Sequence, residues 1–231
     1  IANGEQSLPV TSARRQHFVP AFALAQFAQP VGSRTGWLFQ LDVQSGAPRR
    51  TRPGDAAFVR DLYTYEDAQG ELSRSVEAFF SIVERHAATA LEHLRTDPAA
   101  LTAHDRETIS FFLALQESRT PGGLIRVQQM RQVAFELKAS MDLASVESFR
   151  KAFASEYVDG LSLSEAEDLR LRMQGQLLEG RVHYEAPQAG AMTQILNAAD
   201  ELAMQIYELD WTVLTAEGAE FVTSARPISM V

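Results

Sequence analysis

Cysteine is absent from all 231 residues, which removes disulfide frameworks, thiol nucleophiles and cysteine-ligated zinc or iron–sulfur sites, while leaving the redox compartment open. No apolar run approaches the roughly 18 to 20 residues needed to cross a bilayer, and the N-terminus lacks the charged-then-apolar pattern of a secretory signal. The chain therefore reads as soluble and cytoplasmic, with no membrane partner. Gly-x-x-x-x-Gly-Lys-Ser/Thr, Gly-x-Gly-x-x-Gly after a strand, and Gly-x-Ser-x-Gly are all missing, so phosphate-loop, dinucleotide-fold and α/β-hydrolase readings lack support. His86, His93, His104 and His183 form no His-Glu-x-x-His pattern, which argues against zinc held on one helix; they read as mostly surface residues. Internal repeats and low-complexity tracts are absent as well.

What is there is a 45% hydrophobic chain, enough to bury one sizeable core. It reads as a single domain over residues 1–231, with a C-terminus that is a candidate for truncation. The net charge of −9 is unevenly spread. Residues 1–60 hold Arg14, Arg15, Arg34, Arg49, Arg50, Arg52 and Arg60 against Glu5, Asp42 and Asp55, a positive segment on an acidic body. Such asymmetry can serve an anionic ligand. The plainer reading, arginines decorating an exposed hairpin, takes precedence because no aromatic-interleaved basic stripe accompanies them.

Pro20 with Phe22, Leu24 and Phe27 predicts a short helix ended by Gln29-Pro30. Trp37, Phe39, Leu41 and Val43 alternate with Leu38, Gln40 and Asp42 ahead of Ser45-Gly46, which predicts a hairpin returning near Arg49 to Arg52. Residues 53–70 read as loop. Leu72, Val76, Phe80, Val83, Ala87, Leu91 and Leu94 step by three and four, predicting a helix over 72–95 stopped by Asp97-Pro98. Thr102 with Asp105 has the form of a capping box opening the next helix, which ends near Thr120-Pro121-Gly122-Gly123. Its apolar face should pack antiparallel on the preceding one. Further helices are expected at about 124–141, 145–157, 163–178 and 191–207. Trp211 to Thr215 and Glu220 to Ser224 read as a closing hairpin around Ala216-Glu217-Gly218. The expected class is α+β and predominantly α-helical, a helical bundle with a small antiparallel sheet from N- and C-terminal hairpins.

Glu77 and Glu84 lie seven apart and nearly superpose on the flank of one helical stripe, and neither has a basic residue four positions on. On the following helix Gln116 and Arg119 share the side of Ile109, Phe112 and Leu113, the face that should meet the core. A guanidinium does not lose its proton and is costly to bury unpaired, so an inward Arg119 demands a carboxylate, and Glu77 or Glu84 is the natural supplier. The cluster is either a functional site or a polar network fixing how two helices pack. His17, beside Arg14 and Arg15 at the mouth of the first short helix, can act as a general base or bind an anion.

Arg15-Gln16-His17-Phe18-Val19-Pro20 with Leu24 and Phe27-Ala28, Glu77 through Glu84 with Ala87-Ala88, Phe112 to Gln116 with Arg119-Thr120-Pro121, and Phe221-Val222-Thr223-Ser224-Ala225-Arg226-Pro227 together resemble the domain of unknown function 4238 family, found in many bacterial proteins. The resemblance spans nearly the whole chain, and no established activity comes with it. The family typically opens with two adjacent histidines, where this chain has Gln16 before His17. It typically closes on Thr-Ser-Asp-x-Pro, where this chain has Ala225; if that aspartate is catalytic, this chain is inactive. Two readings follow. In the first, a hydrolase-like site for a phosphate-bearing or nucleic-acid substrate uses His17 as base, Glu77 and Glu84 to orient it or hold a metal, and Arg119 to bind the anion, with Arg15, Gln116, Thr223, Ser224 and Arg226 contacting substrate. In the second, the chain is a non-catalytic interaction module, of the kind found in a bacterial toxin or defence system. The sequence names no cofactor.

Overall fold

The protein is described here by a computed structural model covering residues 14–67, 69–182, 184, 188–214 and 223–224. Helices predominate and the strands are short, an α+β arrangement. The chain divides into two compact units: residues 1–124 with 188–231, and residues 125–187. No helix among the described residues is long and apolar enough to cross a membrane.

The first unit opens with β1 (Arg15–His17), α1 (Ala21–Ala25), β2 (Leu38–Leu41) and β3 (Pro48–Thr51). It continues through β4 (Phe58–Arg60), β5 (Tyr65–Glu66) and β6 (Leu72–Ser73). The strands pair antiparallel as β1 with β4, β2 with β3, and β5 with β6. The hairpin β2–β3 forms where the sequence predicts it, turning through Gly46 at φ +66, a left-handed conformation that glycine adopts without Cβ strain. Leu38 is buried, whereas Trp37, Phe39, Leu41 and Val43 are exposed. Arg50 and Arg52 stack over the Trp37 indole at 4.3 and 4.7 Å from the ring centroid, covering it with cations instead of with core. Residues 53–70 are not a plain loop: β4 and β5 lie there, and β4 pairs with β1 in the register Arg15↔Arg60, Gln16↔Val59 and His17↔Phe58.

Helix α2 (Ser75–Thr96) begins three residues later than predicted, because Leu72 belongs to β6 and is exposed. It buries Val76, Phe80, Ala87 and Ala90. Helix α3 (Ala103–Ser118) starts at the predicted capping box, with Thr102 Oγ1 accepting from Asp105 N at 3.0 Å and Thr102 N donating to Asp105 Oδ2 at 3.1 Å. The two helices run antiparallel. His93 meets Asp105 at 2.9 Å near one end and Glu84 meets Arg119 at 2.9 Å near the other. Helix α8 (Gln188–Glu208) packs on α3 through Ala191, Met192, Ile195, Ala199 and Ala203, the three-and-four spacing of one helical face. Residues 211–214 carry no strand, and the rest of the expected closing hairpin lies outside the described residues apart from Thr223 and Ser224.

Helix α4 (Pro121–Asp142) starts in the first unit and continues into the second. Gly123 is needed at its start, because a Cβ there would run into the Ser118 carbonyl. In the second unit α5 (Val146–Ala152), α6 (Glu156–Asp159) and α7 (Leu163–Leu178) enclose a core of Leu143, Phe149, Val158 and Ala166. One helix was expected over 145–157. The break falls where Ser155 turns to extended backbone and caps α6, its hydroxyl accepting from Val158 N.

Candidate functional site

The site is built where the opening segment crosses the α2–α3 pair. In β1 the side chains alternate, leaving Arg15 exposed and Gln16 fully buried, with His17 half-buried opposite Phe58. The Gln16 amide satisfies two partners, donating to Thr64 Oγ1 at 3.1 Å and accepting from Tyr63 N at 2.5 Å. Phe18 N donates to the Ala57 carbonyl at 2.9 Å. The Phe18 carbonyl accepts from both Gln116 Nε2 and Arg119 Nε, each at 3.2 Å. One peptide oxygen thus ties the opening segment to the last turn of α3.

Arg119, the C-cap of α3, is 1% exposed. Its Nη1 pairs with Glu84 Oε1 at 2.9 Å, its guanidinium lies 5.1 Å from the Phe80 ring centroid, and its carbonyl accepts from Tyr63 Oη at 2.7 Å. The expected buried arginine with a carboxylate from α2 is present, and Glu84 supplies it. Glu84 keeps 26% of its side-chain surface in solvent, so the pair sits at an edge of the core. Three atoms of this cluster are buried without a hydrogen-bond partner: His17 Nε2, Gln116 Oε1 and Arg119 Nη2. Buried polar atoms are rarely left so.

The electrostatics follow from burial. Glu77, half-buried, has its carboxyl pushed up to about 7, first by desolvation and then by the negative charge of Glu84, with Arg119 pulling the other way. His17 is shifted down, chiefly by burial; a hydrogen bond to the Gly54 backbone and the Glu84 charge oppose this, while Arg119 and Arg15 reinforce it. The ring is therefore neutral at pH 7. Its Nε2 is buried without a hydrogen-bond partner. Burial also pushes the Tyr63 phenol up, so it stays a hydrogen-bond donor.

His17, Glu84, Gln116 and Arg119 come together around Phe18, and Glu77 belongs to the same electrostatic cluster. Arg15 is spent elsewhere, pairing with Asp55 at 2.6 Å and stacking on Phe58 at 4.9 Å, so only its field reaches His17. Thr223 is exposed and lines an apolar pocket together with Gln116. Ser224 is exposed and borders a broader groove with Phe18, Trp37 and Leu38. Arg226 and position 225 lie outside the described residues. Among the described residues, no group of three or more His, Asp or Glu side chains is placed to hold a metal ion. Of the remaining histidines, His86 and His104 are exposed, His93 is 54% exposed against Asp105, and His183 lies outside the described residues.

Sequence reasoning missed Tyr63, Phe80 and Gln16 as partners of the cluster. Tyr63 is fully buried and meets Phe80 edge-on at 4.9 Å. Its only sequence signal is an aromatic within residues 53–70, a stretch without periodicity.

A family model described as "Protein of unknown function (DUF4238)" matches residues 15–231. The chain belongs to that family. No curated protein matches it, and no solved structure does.

Proposed function

We propose that this DUF4238 member carries a general acid–base centre for hydrolysis, with His17 as base, Glu77 as acid and the Glu84–Arg119 pair as the fixed frame between them. The observation that carries the reading is the set of buried, unpartnered polar atoms of His17, Gln116 and Arg119 gathered around one peptide oxygen. The neutral imidazole accepts a proton from attacking water at Nε2. The Glu77 carboxyl, near 7, retains enough of its acid form at neutral pH to protonate the leaving group, and the free Nη2 of Arg119 faces the developing oxyanion as a donor. Proton exchange with solvent then returns both groups to their starting states.

The bond cleaved is best taken as uncharged, an ester, amide or glycoside. Glu84 already neutralises Arg119 and Glu77 adds negative charge, so the local field does not favour the phosphate-bearing or nucleic-acid substrate expected from residue types alone. A second reading has its own support. Arg119 spends its contacts on Glu84, Phe18, Phe80 and Tyr63, which is what a helix-packing lock in an interaction module would do. Chromogenic ester, anilide, glycoside and phosphodiester substrates, assayed from pH 5 to 9, separate the readings. The acid–base centre predicts turnover of an uncharged substrate, lost in His17→Gln and Glu77→Gln and tested in parallel in Ala225→Asp. Absence of turnover in all forms, or turnover indifferent to both variants, leaves the interaction module.

A further inference from the structure

An apolar pocket lies beside this cluster, and the acid–base reading gives it no role. It has a volume of about 420 Å3 and lies between α1, α2 and α3, walled by Val19, Phe22, Phe27, Leu91, Phe112 and Leu113. That size falls within the range of small-molecule sites. Gln116 lines it at 1% exposure, and the orientation of its amide is forced. The Phe18 carbonyl can only accept, so the NH2 half must face it, at 3.2 Å. Oε1 is then left as a buried acceptor without a partner. A buried amide oxygen is costly unless something donates to it.

The rim does not call for a charged ligand. Arg95 and Glu92, both lining the pocket, pair with each other at 2.5 Å and cancel. We infer that this pocket binds an uncharged amphiphile, with an acyl or aryl body filling the apolar walls and an N–H or O–H head donating to Gln116 Oε1. The inference stands on the pocket. Because Gln116 and Arg119 share the Phe18 carbonyl, it also names the substrate class of the proposed hydrolytic site, if that reading holds.

Titration calorimetry on the full chain with octanamide and N,N-dimethyloctanamide reads the difference directly, since the two share a chain and a carbonyl but only the first has N–H donors. Octanamide should bind roughly tenfold tighter, the worth of one buried hydrogen bond. Gln116→Leu should erase that preference, and Ala88→Phe, which fills the pocket, should abolish binding of both, with thermal melts confirming that each variant folds. Glu77→Gln should bind octanamide as the parent does, so hydrolysis that persists in this variant, with binding intact, would count against the catalytic reading alone. Equal affinity for the two amides, failure of either to bind, or octanamide binding unchanged in Ala88→Phe would overturn the inference.

Discussion

Replacing Glu77 with glutamine should stabilise the protein at high pH and do nothing at low pH. The carboxyl is held up from its ordinary 4.5 to about 7, so the folded chain binds its proton more tightly than the unfolded chain does. Between those two values the folded state carries more protons, and stability falls as pH rises through the window. Below 4.5 both states are protonated and the penalty vanishes. Above 7 it is complete, with a ceiling of roughly 3 kcal/mol; because Glu77 is only half-buried, solvent screening reduces this to about 1 to 2 kcal/mol. His17 pulls the other way, since its lowered value makes stability fall as pH drops below the ordinary 6.5. The informative quantity is therefore the difference between parent and variant, not the pH profile of either. Urea unfolding followed by circular dichroism at pH 4.5, 6 and 8 should give a difference near zero, then intermediate, then about 1 to 2 kcal/mol in favour of Glu77→Gln. Because Glu84 is the second cause of the shift, Glu84→Gln should move the midpoint of this dependence downward. A variant less stable than the parent at pH 8, or an offset independent of pH, would refute the buried-carboxyl argument.

Arg119→Met keeps the bulk but removes the charge; with Glu84 left partly solvated, the loss should be about 3 kcal/mol, the low end for breaking a buried pair, and denaturant melts showing less than about 1 kcal/mol would contradict the pairing. Tyr63→Phe deletes the 2.7 Å bond to the Arg119 carbonyl and should cost about 1 to 2 kcal/mol by the same measurement. Gly123→Ala forces a Cβ against the Ser118 carbonyl at the α3–α4 corner and should lower the thermal midpoint clearly, whereas Gly46→Ala, with open space around it, should show only the smaller cost of its positive φ.

The helices were legible because their signal is local and periodic. Helix α7 falls on 163–178 and the Thr102/Asp105 box opens α3 as its residues predict. Arg119 was legible for a stronger reason: a cation on an apolar face has only one affordable solution, and helix geometry restricts which carboxylate supplies it. What escaped depends on pairings distant in sequence. β1 and β4 are short strands more than forty residues apart, too brief for alternation to register, and Tyr63 gains its role only when β1 places Gln16 against its amide. The buried face of β2 escaped for a different reason. Hydrophobic alternation identifies which residues share a side but not which side meets the core, and stacked arginines let Trp37 remain outside.

The opening motif now divides into two kinds of residue. Gln16 and Phe18 are architectural: the Gln16 amide gives one donor and one acceptor to Thr64 and Tyr63, and the Phe18 carbonyl clamps Gln116 and Arg119. His17 differs in kind. Its Nε2 is buried without a partner. A residue kept only for packing would gain by filling that valence or by being apolar, and this unfilled nitrogen is the feature on which the proposed role of His17 as base rests.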